Sequence, residues 1–480
     1  MTPQQMLARY AEALEARRPL EAIWQGCYDM TLPRPGSAAQ IFDATAADAA
    51  EQLAASLLAE LTPPWSRWFG LAPARGSAED PAQLAALEDA AATLQRHFDC
   101  SNFGIEVHQA FLDLVVAGTG VLLVEEAPLG EASAFRFAAV PLRQAVLAEG
   151  PSGRLDTVYR EARLNAAQLR DRHPAAELPG EIERLARSSH GPAALHRVVE
   201  AVWPNHGGVR YLAVLADEPD RPVVLAEGRF TENPFIGFRW LKASGETYGR
   251  GPVMKALPDI RTANKVVELV LKNASIACTG IWQAEDDGVL NPATIKLVPG
   301  AIIPKAPGSA GLTPLAAPGN FNVSELVLRD LRTRIRGALL ADRLAPLETA
   351  QMTATEVLER SAQTARLLGA TYGRLQSELL MPLVTRCLAI LRRRGEIPAA
   401  LLDGRSTELR YESPLARVQG RADAANTLMF LQAVGKLGGE AAAQIDAAAA
   451  TRWLARSLGA PAEVLVPRKF AVDLEPGVTR

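Results

Sequence analysis

Residues 245–277 read GETYGRGPVMKALPDIRTANKVVELVLKNASIA and decide how the rest of the chain is interpreted. The glycine-rich turn GETYGRG leads into Pro252, which stands where the first turn of a helix tolerates a missing N–H. Residues 252–277 then predict a helix of about 39 Å, at roughly 1.5 Å per residue. Pro258 is expected to kink or restart this helix, because proline removes a helical hydrogen bond.

The apolar side chains of this predicted helix cover more than one stripe of its surface. Charged residues, Lys265, Glu268 and Lys272, interrupt the apolar ones. A helix that is apolar on several sides but still charged packs against several neighbours. In a monomer it would be a core helix, and in a ring it would be a strut that touches copies on both sides.

Three other interpretations of the stretch fail. The turn lacks the G-x-x-x-x-G-K-[ST] spacing of a nucleotide-binding P-loop. Its glycines also do not match a dinucleotide fingerprint, and no strong βαβ pattern surrounds it. Charges recur every few residues, which argues against a membrane span.

The composition is that of an ordinary globular protein. The 480 residues suffice for two or three cores or one large elongated subunit, and the net charge of −3 gives no global basic field. Four scattered cysteines (Cys27, Cys100, Cys278 and Cys387) form neither a disulfide framework nor a zinc spacing, as expected for a reducing cytoplasm. The N-terminus lacks the apolar region of a signal peptide.

The first third of the chain predicts helices. Thr2 and Pro3 resemble a cap and first turn for a helix to residue 30, and Thr45 with Asp48 is expected to cap a second. Further helices are predicted over 80–101 and 105–117, the latter ended by Gly118. Between the second and third of these helices lie Trp65, Trp68 and Phe69, which we interpret as a monomer-core anchor rather than a partner-binding patch.

From residue 121 the pattern changes to short β-branched or apolar runs between turn signals. These runs are VLLVEE, FRFAAVP, AVLAEG, DTVYREA, HRVVEAVWP, VRYLAVLA, RPVVLAEG and FIGFRWLKA. A helical insertion over 164–187 interrupts them. The pattern predicts a mixed β-rich domain that ends just before the GETYGRG turn.

The remaining chain predicts a stalk with a small tip. Residues 278–320 are rich in proline and glycine, with only IWQA and AIIPK as strand candidates. They separate the first helix from a second over 322–340. The two helices must run antiparallel if the chain is to rejoin the same body.

Beyond the stalk we predict a loop over 341–352 and a very long helix over 353–394. A capping box at Thr353 and Glu356 would start this helix, which must tolerate Gly369, Gly373 and Pro382. A short strand in TELRYES leads to alanine-rich helices near 421–436 and 441–458, and the end looks like a tail.

Four stretches carry a resemblance to a known family. They are the N-terminal helix leading into CYDMTLPRP, LAASLLAELTPPWSRWF, the stretch quoted first, and QMTATEVLERSAQTARLLGATYGRLQSELLMPLV. Together they resemble the portal proteins, or head-to-tail connectors, of short-tailed phages of the podovirus type. They occur in that family's order over about residues 5–390.

The resemblance implies an α+β, mainly helical portal fold with wing, two-helix stem, clip and short crown. The wing would be residues 1–243, the turn and first stem helix 244–277, the clip 278–320, the second stem helix 321–340 and the tunnel loop 341–352. A wing-to-crown helix (353–410) and a crown with tail (411–480) would follow. The crown is short, so an extended interior barrel is not expected.

The resemblance also implies a function. The chain would form a dodecameric ring, or one of thirteen subunits when purified, at one capsid vertex of the virion. Double-stranded DNA would pass through its channel without sequence specificity during packaging and ejection. The implied partners are the terminase large subunit, tail adaptor proteins, and major capsid and scaffold proteins. Assembly would take place in the host cytoplasm, with no enzymatic activity, cofactor, metal or membrane.

Candidate residues follow for the channel and the stem. The DNA-channel candidates are Arg343, Arg334 and Arg336. For Arg329, Arg332, Arg334 and Arg336 the alternative is intersubunit ion pairing with Glu325, Asp330 and Glu268, or a solvated face. This alternative is favoured because a channel that lets DNA slide should not grip it. The stem-packing candidates are Leu257, Ile260, Val267, Leu271, Leu331 and Ile335.

Other chemistry finds little support. The six histidines have no metal-ligand spacing. Glu246 near Tyr248 could suggest acid–base chemistry, but a turn with Glu246 in a salt bridge and Gly249 or Gly251 at positive φ fits better. Two alternative functions stay open: another phage tail adaptor or internal core protein, and a nucleotide-dependent enzyme with GETYGRG as its phosphate loop.

Overall fold

The computed structural model describes most of the N-terminal half and selected parts of the rest. The described residues are 1–33, 40–64, 66–73, 81–187, 194–218, 220–279, 282–284, 306–308, 312–314, 321–341, 371–398, 407–411 and 414–437, with single positions at 369 and between 445 and 454.

Helix α1 (Pro3–Thr31) begins as its sequence predicts. The Thr2 side chain accepts a hydrogen bond from the Gln5 backbone N–H, and the Gln5 side chain accepts one from the Thr2 N–H, which completes a capping box. Pro3 occupies the first turn, where its missing N–H costs nothing. The helix runs through Pro19 without ending.

Helix α2 (Thr45–Leu61) is capped differently from the prediction. Thr45 provides no side-chain cap, and its backbone N–H instead donates to a carboxylate oxygen of Asp43, at 3.0 Å. Asp43 lies two residues earlier and satisfies one of the donors that a helix start leaves open. The apolar face of α2 enters the core through Leu53, Leu57 and Leu61.

Strand β1 (Phe69–Pro73), helix α3 (Pro81–Asp99) and helix α4 (Phe103–Ala117) follow. Trp68 and Phe69 are buried and stack edge-on at 4.8 Å between ring centroids, which confirms them as part of a core anchor. Trp65 lies outside the described residues. Helix α4 ends at Gly118, whose φ of 78° is the left-handed conformation predicted for this glycine.

The β-rich domain contains two antiparallel sheets. The three-stranded sheet has the order β3-β2-β9, and the five-stranded sheet is the meander β4-β5-β6-β7-β8. The strands are β2 (Thr119–Glu126), β3 (Phe135–Ala139), β4 (Ala145–Ala148), β5 (Thr157–Leu164), β6 (His196–Asn205), β7 (Gly208–Leu215), β8 (Val223–Phe230) and β9 (Phe235–Arg239). Each corresponds to one predicted run. The predicted helical insertion consists of α5 (Ala166–Arg172) and α6 (Gly180–Arg187).

Helix α7 (Pro252–Thr279) is continuous across Pro258, so the predicted restart does not occur. Strands β10 (Trp282–Ala284) and β11 (Leu312–Pro314) form a small antiparallel pair, and helix α8 (Phe321–Ala338) follows. The predicted strand AIIPK lies outside the described residues. No helix of the described chain combines the length and apolarity needed to cross a bilayer.

The described part of the predicted long helix contains a π-helical turn, Gln376–Leu380, followed by helix α9 (Met381–Arg394). Pro382 lies in the first turn of α9, where the wider turn before it accommodates the missing N–H. The Thr353–Glu356 capping box and most of the 341–352 loop lie outside the described residues.

Near the C-terminus, strand β12 (Thr407–Tyr411) pairs antiparallel with β1, and helix α10 (Pro414–Leu437) follows it. The predicted strand in TELRYES is confirmed, whereas β1 was not predicted. The main core joins residues of α2, α4, α7, α8 and α9, so the two halves of the chain share one hydrophobic cluster.

Candidate subunit interface and channel surface

The GETYGRG turn is a close-packed joint between the β-rich domain and α7. A Cβ on Gly251 would lie 2.7 Å from the Gly118 nitrogen, and one on Gly249 would lie 2.1 Å from the Gly118 carbonyl oxygen. Side chains at these two positions would therefore collide with backbone. The prediction of positive φ at Gly249 or Gly251 is wrong, since among the glycines of this turn Gly245 is the one with positive φ, at 81°.

The same packing bears on the phosphate-loop hypothesis. Backbone N–H groups that would face a phosphate are already used, because the Gly249 N–H donates to Thr119 Oγ1 at 2.9 Å and the Arg250 N–H donates to the Leu241 carbonyl at 2.7 Å. The Arg250 side chain also pairs with Glu246, with Nε 2.9 Å from Oε2, as predicted. These contacts within the protein argue against a phosphate-binding role for the turn.

Tyr248 is likewise a structural residue. It is buried against Trp24, with ring centroids 5.1 Å apart, and its hydroxyl accepts a hydrogen bond from the Leu147 N–H at 2.9 Å. Burial raises the pKa of Tyr248 to about 12. This environment favours a neutral, immobile phenol over an acid–base role.

A buried ion network, which the sequence analysis missed, clamps the joint to the π-helical turn. Arg239 is fully buried at the end of β9 and contacts Glu378 through Nη2 at 2.7 Å and Nε at 3.2 Å. Nη1 also donates to Glu149 at 3.0 Å and to the Thr247 carbonyl, and Nη2 donates to the Gly153 carbonyl. The one signal in the sequence is a single arginine within the apolar run FIGFRW.

Glu378, the partner of Arg239, lies within the π-helical turn that precedes Pro382. Its Oε2 also accepts the Arg239 backbone N–H at 3.0 Å, and Arg374 donates to its Oε1 at 3.0 Å. A buried charge of this kind is tolerated only when hydrogen bonds satisfy it. The network thus holds the body end of α7, the β-rich domain and the α9 segment in one arrangement.

Helices α7 and α8 lie side by side and run antiparallel. Arg334 of α8 contacts Asp259 of α7 at 2.9 Å, while Arg332 and Asn264 both contact the Asp43 segment. From the first contact to the second, the residue number rises along α7 from 259 to 264 and falls along α8 from 334 to 332. The two helices therefore run in opposite directions.

The body end of the helix pair is buried within the protomer. Leu257, Ile260, Leu331 and Ile335 are each less than 7% exposed and belong to the main core. These four stem-packing candidates are brought together with α2 and α4. Their burial needs no second copy of the chain.

The outer half of the pair is different. Of the two remaining candidates, Val267 is half-buried and Leu271 is 52% exposed. Other apolar residues along the outer half are also exposed: Leu269 at 49%, Leu326 at 70% and Val327 at 43%. Among the described residues, apolar side chains on both helices are thus exposed, and exposed apolar surface that is larger than usual is typical of an interaction site.

Arginines of α8 mostly have carboxylate partners in their own protomer. Arg329 pairs with Glu325 of the same helix at 3.1 Å, and Arg334 pairs with Asp259. Arg336 is exposed and makes no ion pair in the described part of the chain. Arg343 lies outside the described residues. Glu268, one of the suggested arginine partners, instead contacts Lys265 and Lys272 on its own helix.

Asp43 provides a buried acidic anchor for α8. Although burial opposes ionisation, hydrogen bonds from Thr45 and the nearby Arg332 guanidinium hold the pKa of Asp43 below its usual value. The Arg332 Nε lies 2.8 Å from Asp43 Oδ2. This pair links the start of α2 to the middle of α8.

The described residues contain no group of three or more His, Cys, Asp or Glu side chains able to hold a metal ion. Cys387 is buried in the core, and burial raises the pKa of its thiol. The Cys278 side chain lies outside the description.

Comparison with known proteins agrees with the sequence resemblance. The profile of the family described as "Bacteriophage head to tail connecting protein" matches residues 3–465. A probable portal protein of Bordetella phage BPP-1 is 25% identical, over 96% of this chain and 88% of the relative. The portal protein of Escherichia phage T7 is 23% identical, over 81% of this chain and 74% of the relative.

Among solved structures, the chain is similar to one from the neck of an empty GTA particle, at 13% identity and a TM-score of 0.34. That match covers 80% of this chain and 84% of the other. The family match spans nearly the whole sequence and confirms the resemblance to portal proteins of short-tailed phages. The chain belongs to the bacteriophage head to tail connecting protein family.

Proposed function

We propose that this chain is a portal subunit, which assembles into a closed ring at one vertex of a phage capsid and forms the channel for DNA. One observation carries the proposal beyond family membership. The α7–α8 pair is anchored in the protomer core at one end and leaves apolar side chains of both helices exposed at the other.

The exposed apolar positions support a cyclic ring in which the α7–α8 pair of each subunit contacts both neighbours. In a cyclic ring each subunit offers two different surfaces, one to each neighbour. Helices lying side by side provide two such surfaces, and Leu271 of α7 would pack against Leu326 or Val327 of the next copy. Covering these side chains would remove apolar area from water, which favours association.

The domain roles are part of this proposal. Residues 1–243 form the wing, α7 and α8 the stem, 278–320 the clip, 341–352 the tunnel loop, and 411–480 the crown and tail. The ring is dodecameric in the virion, and a thirteen-subunit form arises on purification. Its partners are the terminase large subunit and tail adaptors, together with the major capsid and scaffold proteins. Assembly takes place in the host cytoplasm.

The channel surface of this ring would touch DNA weakly. Arg336, which has no carboxylate partner among the described residues, and Arg343 are the DNA-facing candidates, while Arg334 is partly neutralised by Asp259. Few free charges per subunit suit a channel through which DNA slides, because every neutralised phosphate adds salt-dependent affinity.

Electron microscopy of the purified full chain tests the proposal. We expect closed rings with a central hole in top views. A chain that stays monomeric at high concentration would contradict it. An adaptor or internal core protein, the second candidate, would attach to rings formed by another protein and would not form them alone.

A further inference from the structure

A half-open cavity of about 270 Å³ lies where α9 crosses the two sheets of the β-rich domain. Its lining contains no residue of α7 or α8, so it is separate from the proposed subunit interface. Its side chains combine three arginines with aromatic rings: Arg172, Arg386, Arg393, Tyr211, Phe230 and Phe235.

Arg386 is the unusual member of this lining. Only 3% of the residue is exposed, yet no carboxylate of the described chain lies within 4 Å of its guanidinium. Its Nη1 donates one long hydrogen bond, 3.4 Å, to the Glu232 carbonyl, and its Nε has no partner. The Phe230 ring lies 4.9 Å from Arg386 Cζ and contributes a cation–π contact.

The neighbouring carboxylates of the cavity are already paired with other arginines. Glu126 contacts Arg393, and Glu200 contacts Arg172 at 3.0 Å. Glu125, the third acidic side chain of the lining, lies 3.7 Å from Arg172. These pairs leave Arg386 as the arginine of the lining without a counter-charge.

The nearest further acid does not supply that charge. Burial raises the pKa of the Glu232 carboxyl, against the opposing effect of Arg386, and so favours its neutral form. Burial, reinforced by the Arg393 charge, lowers the pKa of Arg386 itself. A buried guanidinium with open donors and no counter-ion is the arrangement that a bound anion would complete.

We propose that this cavity binds one small oxyanion, a free phosphate or carboxylate, on the open donor edge of Arg386. The planar guanidinium matches such groups with two parallel hydrogen bonds. Arg393 lies two helical turns further along the same face of α9 and lines the cavity, but its charge is paired with Glu126. Because Arg386 is recessed, a phosphate held in a DNA duplex does not reach it.

Phosphorus NMR of inorganic phosphate, titrated with the full chain, tests the proposal. We expect the phosphate line to broaden with the wild-type chain and with Arg392→Met, a matched control on an exposed position of the same helix. Arg386→Met should abolish the broadening. Arg386→Lys, which keeps the charge but loses the planar fork, should weaken binding about tenfold.

Acetate should displace the phosphate, because both groups fit the same donor edge, whereas a DNA duplex at equal phosphate concentration should not. Far-ultraviolet circular dichroism establishes that each variant is folded before it is titrated. Equal broadening by the wild-type chain and Arg386→Met would overturn the proposal. Displacement by the duplex would overturn the assignment of the ligand as a free ion.

Discussion

Replacing Arg239 with methionine removes the charge that joins the β-rich domain, the GETYGRG turn and the π-helical turn. The change keeps an unbranched side chain in this fully buried position but makes it apolar. It leaves the Glu378 carboxylate without its bidentate partner and leaves the Thr247 and Gly153 carbonyls without their donor. Arg374 and the residue 239 backbone N–H still donate to Glu378, whereas the two carbonyls lose their side-chain donor.

The expected loss is large because the remaining carboxylate is mostly buried, with 11% of its side chain exposed. Breaking a buried ion pair by removing one partner costs about 3–5 kcal/mol. Glu378→Gln keeps the shape and part of the hydrogen bonding, so it should cost less, about 1.5–3 kcal/mol, the net value of a charged hydrogen bond. Both figures are large against a typical total stability of about 5–15 kcal/mol.

Urea unfolding of the full chain, followed by circular dichroism, measures these losses. Arg250→Met is the matched control, because Arg250 belongs to the same joint but is exposed and, among the described residues, forms an ion pair with Glu246 alone. We expect the control to unfold like the wild-type chain. If Arg239→Met unfolds at the same urea concentration as Arg250→Met, the clamp does not hold the joint as argued.

Two other predictions test the joint and the α2–α8 link. Gly251→Ala should lower the melting temperature, because the new Cβ would lie 2.7 Å from the Val115 carbonyl oxygen and the Gly118 nitrogen. Gly337→Ala is the control: the space around this helical glycine is open, so the melting temperature should stay the same or rise. Equal shifts in the two variants would contradict the close-packing argument. Asp43→Asn should destabilise the chain at pH 7, and the difference from wild type should shrink as the pH falls below about 4. The sign follows because a carboxyl whose folded pKa is depressed contributes stability above its unfolded pKa and loses it on protonation. Thermal melts at pH 7 and pH 3 measure this, and a difference that grows toward pH 3 would refute it.

Local sequence signals predicted most elements of the fold. The helix cap at Thr2, the helix end at Gly118 and the eight β-rich runs all depend on neighbours within a few residues, and the structure contains each of them. The helix from Pro252 was likewise predicted within two residues of its end. Such features are readable because propensity, capping and periodicity act over short distances.

Features that depend on distant partners were missed or misplaced. Strand β1 pairs with β12 across more than three hundred residues, and its FGLAP sequence contains glycine and proline, which disfavour strands. The Arg239–Glu378 network likewise joins residues 139 positions apart. The glycines at 249 and 251 are required by the approach of Gly118, which no local pattern records.

The candidate interface was predictable in outline only. Apolar residues on several sides of α7 indicated several neighbours, but the sequence could not say which would be covered within the protomer. The register of α8 against α7 places Ile260 in the core, and leaves Leu271 exposed. The same register places Asp259 opposite Arg334, and so decides which arginine retains a free charge.

Cross-linking between copies tests the central claim most directly. In a Cys100→Ser and Cys278→Ser background, which leaves only the buried Cys27 and Cys387, Leu271→Cys and Val327→Cys are introduced together and treated with a short bifunctional maleimide. If the outer halves of α7 and α8 pack against neighbouring copies, denaturing gels will show a ladder of covalent oligomers that neither single variant gives. A double variant that yields only the monomer band, at a concentration where the chain is assembled, would contradict the account.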